Sequence, residues 1–184
     1  MGNEETRYVK ILNYGNNRLR EIAEEVTELT DEDHQLIEDM MRVVKQFPAL
    51  GLAATQVGVN KRIIIVNTIA EIIPIINPVI TEFSQEESLM AEGCLSIIGA
   101  TADIERPNKV VVEGVDADLR EVRYEWSGLL AHIVQHEIDH LNKILMTDYL
   151  KEYKRNKMLK AHRKFVRNNH IPVHSYKVAL KKTA

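Results

Sequence analysis

Between Gly51 and about Tyr124 the chain is made of short runs rich in β-branched residues, and this stretch limits its folds more than any other feature. Runs at 62–66, 72–76 and 110–115 read as strands, with Ile63-Ile64-Ile65-Val66 apolar enough to be buried. Gly58-Val59-Asn60, Asn77-Pro78, Gly99 and Arg106-Pro107 read as the turns that separate them. Helical patterns of about 10–15 residues are scarce between the runs, so mostly antiparallel sheets are expected rather than βαβ units.

Helices flank this region. Residues 30–46 predict one: Thr30 is a good N-cap, Asp31 to Asp33 suit the positive end of the dipole, and Leu36, Ile37, Met40, Val43 and Val44 form one apolar stripe. Phe47-Pro48 ends it. Ser127 is expected to cap a second helix, with Leu129, Leu130, Ile133, Val134 and Leu141 as its apolar positions. A third, basic helix is expected at about 148–168, burying Leu150, Tyr153, Leu159 and Val166. The predicted fold is α+β, with mostly antiparallel sheets packed around a central helix, an N-terminal helix and a basic C-terminal helix. The 184 residues show no repeat, low-complexity tract or linker, so 1–184 is expected to be a single domain whose basic helix and tail begin near residue 150.

The strongest chemical signal falls on the central helix, at His136-Glu137-Ile138-Asp139-His140. Residues four apart lie one turn apart on the same helix face, so two imidazoles can hold one ion and the adjacent acid can reach a water on it. A hydrolytic site needs a third protein ligand and an open position. His162, His170 and His174 lie in the basic segment at no recognised spacing, whereas the only thiol of the chain, Cys94, sits in Glu92-Gly93-Cys94-Leu95-Ser96. A single cysteine excludes an intrachain disulfide.

Three blocks in order, Gly51-Leu52-Ala53-Ala54-Thr55-Gln56, Glu92-Gly93-Cys94-Leu95-Ser96 and Gln135-His136-Glu137-Ile138-Asp139-His140, closely resemble the peptide deformylase family. So do Leu19-Arg20-Glu21-Ile22-Ala23, Ile76-Asn77-Pro78 and Asp148-Tyr149-Leu150. The resemblance implies a metal-dependent hydrolase that removes the N-formyl group from the N-terminal methionine of nascent polypeptides and releases formate. It implies Cys94, His136 and His140 as metal ligands, and Glu137 as general base and then acid. It implies the Gln56 amide and the Leu95 backbone N–H as donors to the oxyanion, with Gly51 letting the chain pass close to a ligand. Fe²⁺ is the implied physiological ion, with Zn²⁺, Ni²⁺ or Co²⁺ able to replace it.

Leu129 and Ile133 share a helix face with His136 and His140, and with Leu50 and Met90 they are the candidates for an apolar methionine pocket. His132 is expected to be a pocket wall rather than a ligand. Four positions depart from the family pattern: Ala49, Ile98 and Thr101 around the peptide groove, and Lys143 after the metal helix. A related amidase acting on another N-acylated molecule is therefore the second reading. A non-catalytic, metal-stabilised nucleic-acid-binding module is the third.

Residues 151–184 hold eleven Lys/Arg and one acid, a net +10 against −13 for the rest of the chain. Such separation suggests an acidic partner, for example nucleic acid, and the resemblance implies ribosomal RNA; the alternative is a solvated helix leaning on its own acidic body. No stretch approaches the roughly 18 apolar residues of a membrane span, and no secretory signal is legible, so a soluble cytoplasmic protein is expected. Met1-Gly2-Asn3-Glu4-Glu5-Thr6 formally fits a myristoylation pattern but has no polybasic second signal, and reads as a solvated terminus.

Overall fold

The computed structural model describes residues 7–47, 49–68 and 70–180, so the Met1–Thr6 pattern lies outside it. The chain runs through β1 (Tyr8–Leu12), α1 (Asp31–Gln46), β2 (Gly51–Ala53), β3 (Ile63–Asn67), β4 (Ile72–Phe83), β5 (Glu87–Gly93) and β6 (Thr101–Pro107). It continues through β7 (Lys109–Val115), β8 (Glu121–Ser127), α2 (Leu129–Leu141), α3 (Glu152–Asn168) and β9 (Ser175–Ala179). All strand pairings are antiparallel, in a five-stranded sheet of order β2-β3-β4-β7-β8 and two ribbons, β5-β6 and β1-β9. The α+β fold matches the sequence expectation. No helix among the described residues is long and apolar enough to cross a membrane.

The unbroken apolar run of β3 reflects burial on both faces. Ile63 and Ile65 join the cluster that α1 fills with Ile37, Met40, Val43 and Val44, while Ile64 and Val66 face the Ala131, Val134, Ile138 and Leu141 side of α2. The sheet is thereby clamped between the two helices, which fixes α2 in the middle of the molecule. At the start of α1, Thr30 and Asp33 form a reciprocal capping box, and Asp33 also pairs with Lys61 at 2.6 Å.

Four sequence expectations need correction. Asn77-Pro78 is not a turn, because β4 runs through it by way of a bulge. The bulge accommodates the missing proline N–H and the left-handed Asn77 (φ 50°), whose side chain pairs with both backbone groups of Val26. Ser127 does not cap α2: it ends β8, and the abrupt strand-to-helix turn puts Gly128 (φ 57°) at the N-cap. Tyr153 is 78% exposed, since it precedes the buried His162 by nine residues and lies on the opposite face at about 100° per residue. The fourth concerns the segment after α3, which is not all tail: β9 pairs with β1 from Ser175 to Ala179 and puts Val178 and Leu180 into the α1 core.

The end of α2 explains one departure from the family pattern. Ile144 N–H bonds the Asp139 carbonyl in a Schellman-type closure that forces Lys143 to φ 58°, a left-handed position suited to glycine. Lys143→Gly should therefore stabilise the protein by about 0.5–1 kcal/mol, read as a rise of about 2–4 °C in thermal unfolding. A fall in Tm would contradict that account of the turn.

Candidate active site

The three candidate ligands come from two elements that the fold brings together. His136 and His140 lie on buried consecutive turns of α2, their rings edge-on with centroids 5.0 Å apart. Cys94 follows β5, at the start of a 3₁₀ turn over Leu95–Ile97. One donor atom from each of the three lies within 4.8 Å of the others, and Cys94 Sγ is 3.3 Å from His140 Nε2. A tetrahedral ion with bonds of about 2.3 Å to sulfur and 2.0–2.1 Å to nitrogen has S···N edges of about 3.5 Å, so this donor set fits one ion.

A buried charge network stands behind the histidines. His136 Nδ1–H donates to Glu92 Oε2 at 2.9 Å, and in the neutral ring this hydrogen bond would keep Nε2 free to coordinate. Glu92 Oε1 takes His132 Nδ1 at 3.0 Å, and Arg106 bonds both carboxylate oxygens, through Nε at 2.6 Å and Nη2 at 3.1 Å. Arg106 also reaches Asp139 at 2.7 Å and lies over the ring of Tyr149, whose hydroxyl donates to the same Asp139 oxygen at 2.9 Å. Burial alone would raise Glu92, but the hydrogen bonds from His136 and Arg106 outweigh it and hold its carboxyl down at about 2. Burial would also depress His136, but its bonds to Cys94 and Glu92 hold that imidazole above its ordinary range. His140, equally buried and beside His136, is pushed below it.

Glu137 takes no hydrogen bond from this network. It is buried, and its Oε2 has no hydrogen-bond partner among the described residues. Desolvation, only partly opposed by His136, pushes its carboxyl up to about 7. A group poised near neutrality is suited to both taking and returning a proton. Gly51 makes room for it: a Cβ there would lie 2.5 Å from Glu137 Oε1, so the glycine is required by Glu137 itself, whereas the sequence pattern suggested a ligand.

Gln56 is buried on a 3₁₀ turn after β2. Its Oε1 accepts from Ala53 N–H at 2.8 Å, turning Nε2 toward Cys94 Sγ (3.4 Å) and Ser96 Oγ (3.3 Å). A cavity of about 420 Å³ opens beside the triad. Gly51, Gln56, Leu95, His136 and Glu137 line it, as do all four candidate pocket residues Leu50, Met90, Leu129 and Ile133. Ala49, Ile98 and Thr101 line it too, while Lys143 stands apart. His132 forms part of the wall, as expected, and also donates to Glu92.

Sequence reasoning gave no role to Glu92, Arg106 or Tyr149. The first two become legible only once the β5-β6 register is known. In the β5-β6 register Glu92 opposes Ala102 and Ser88 opposes Arg106, so acid and base share the ribbon face turned toward α2.

A sulfur and two imidazoles converging beside a buried, unpaired carboxylate and an open cavity define a metal-dependent hydrolase of the His-Glu-x-x-His kind. The chain belongs to the polypeptide deformylase family, whose model matches residues 8–156. Peptide deformylase 1 of Pseudomonas syringae pv. tomato is 38% identical over 155 residues, covering 83% of this chain and 92% of that protein. The crystal structure of a peptide deformylase from Legionella pneumophila superposes with a TM-score of 0.84 at 35% identity, covering 88% of this chain and 97% of that one. That of Ehrlichia chaffeensis in complex with actinonin gives 0.79 at 35% identity, covering 86% and 95%.

Proposed function

We propose that the protein removes the N-formyl group from the N-terminal methionine of nascent polypeptides and releases formate. The observation that carries this reading is the unpaired, buried carboxylate of Glu137 beside the Cys94-His136-His140 donor triangle, facing a cavity sized for a side chain. These three residues would hold a divalent ion, and such an ion supplies the acidity that makes water nucleophilic near neutral pH. We read Fe²⁺ as the physiological ion, with Zn²⁺, Ni²⁺ or Co²⁺ able to take its place on the same mixed sulfur and nitrogen donors.

Glu137 accepts the proton of the attacking water and returns it to the departing amine. The Gln56 amide and the Leu95 N–H are the donors on hand for the negative charge that develops on the formyl oxygen, each such donor being commonly worth about 3–4 kcal/mol. Leu50, Met90, Leu129 and Ile133 offer the methionine side chain an apolar wall. The Ehrlichia chaffeensis peptide deformylase forms a complex with actinonin, which is in keeping with a fold that accepts a ligand.

Two further parts of the reading rest on less. The α3 lysines 154, 157, 160 and 164 and arginines 163 and 167 are exposed, and no ion pair among the described residues uses them. That free basic face suits docking on ribosomal RNA, in keeping with a cytoplasmic enzyme acting on chains under synthesis. A related amidase is the second reading, favoured by Ala49, Ile98 and Thr101 all standing on the cavity wall.

Anaerobically prepared protein loaded with Fe²⁺ or Ni²⁺ should release formate from a formyl-methionyl peptide. Chelation should abolish that activity, and returning the ion should restore it. A fully metallated protein that leaves the peptide intact would move the assignment to the second reading.

A further inference from the structure

The loop that carries Cys94 and Leu95 is tied down from outside by a part of the chain that the family model does not reach. Four carbonyls along it, those of Cys94, Leu95, Ser96 and Ile98, accept hydrogen bonds from four different places. Cys94 O takes Ile97 N–H at 2.9 Å within its own turn, and Ser96 O takes Tyr14 N–H at 2.7 Å from the segment after β1. Leu95 O takes the Tyr176 hydroxyl of β9 at 3.0 Å, and Ile98 O takes His162 Nδ1–H of α3 at 2.9 Å. Phe165 of α3 also packs against Gly99 so closely that a Cβ there would lie 2.1 Å from its ring. His162, Phe165 and Tyr176 all lie beyond residue 156, where the family match ends.

The peptide planes explain what this does. The Leu95 N–H shares a rigid plane with the Cys94 carbonyl, and the Leu95 carbonyl belongs to the next plane. Holding both carbonyls fixes the two planes that meet at Leu95, and so fixes where its N–H points. Tyr176 is itself well seated: it pairs with Ile11 across β1-β9 and its ring packs against the α1 core.

We infer that Tyr176 is a positioning residue for catalysis, and that β9 with α3 forms a clasp which aims the Leu95 N–H and sets the cavity wall at Ile98 and Gly99. This rests on the reading of Leu95 as an oxyanion donor. The donor is displaced rather than deleted when the clasp is loosened, so the effect is on the transition state more than on substrate binding.

Tyr176→Phe in the full-length, metal-loaded protein tests it, because the ring and its packing remain and only the hydroxyl goes. The expected result is a kcat about tenfold lower with KM nearly unchanged, since misplacing a donor costs less than the 10²–10³-fold of removing one. Metal content should stay at one ion per chain, and amide hydrogen exchange at Leu95 and its neighbours should accelerate. Unchanged kcat overturns the inference, even if exchange does accelerate, because the contact would then be merely structural. Should the wild-type protein release no formate, the deformylase reading fails separately, and unchanged exchange at Leu95 would overturn the clasp by itself.

Discussion

Glu137→Gln should lower kcat on a formyl-methionyl peptide by about 10²–10⁴-fold, the usual contribution of a positioned proton-transfer group, and leave metal content at one ion per chain. The substitution preserves volume and removes the ability to take a proton. It should not harm folding, because the wild-type carboxylate is already buried with one oxygen unpaired, and burying a neutral amide there costs less than burying a charge. Activity, metal analysis and thermal unfolding on the same preparation separate the outcomes. Retention of more than about a tenth of the activity would remove Glu137 from the chemistry, since the smallest usual contribution is a hundredfold.

Arg106→Met should be the most damaging change outside the triad. Arg106 is 2% exposed and pairs with both the buried Glu92 and the partly buried Asp139, so its loss removes the guanidinium charge that both carboxylates share. Breaking a buried pair from one side costs about 3–5 kcal/mol, or roughly 10 °C of Tm for a chain of this size. The second effect concerns the metal. Glu92 orients His136, and loss of such outer support typically weakens metal affinity by about 10–100-fold.

The pH dependence carries a sign that can be checked. Glu92 is depressed from 4.5 to about 2, so the stability it contributes is fully present above about pH 4.5 and disappears as pH falls toward 2. Without Arg106 the folded carboxyl should move back up toward 4.5, so that acid-side loss should become smaller and be confined to a narrower pH range. Adding Glu92→Gln to Arg106→Met should recover part of the stability but not the metal affinity, because the amide holds His136 less strongly than a carboxylate does. Full recovery of both would show that the network serves packing alone.

Two of the three candidate ligands were legible because their chemistry is local: two histidines four apart on an apolar-striped helix are visible without a fold, whereas the lone thiol joined them only through the family resemblance. The β3 run and the α1 stripe were legible for the same reason, each being a periodic pattern matched by the burial that the fold imposes. What stayed hidden depends on distant partners. Arg106 looked like part of a turn before Pro107, and only the β5-β6 register turns it toward Glu92 and α2. The Asn77-Pro78 signal was misleading because a bulge can absorb both residues without ending the strand. Two blocks that the family pattern marked without explaining, around Arg20 and Asp148, form a bidentate ion pair across the chain. β9 carried no strong strand signal, and its place against β1 is set by long-range closure of the chain ends.

X-ray absorption at the metal edge of the loaded, catalytically competent protein tests the central claim most directly. One sulfur at about 2.3 Å, two imidazole nitrogens at about 2.0–2.1 Å and one further light atom are expected, since an open hydrolytic site keeps its fourth position for solvent. Loss of the sulfur shell alone should follow Cys94→Asp. A spectrum with no sulfur neighbour, or with a fourth protein ligand closing the site, would contradict the account.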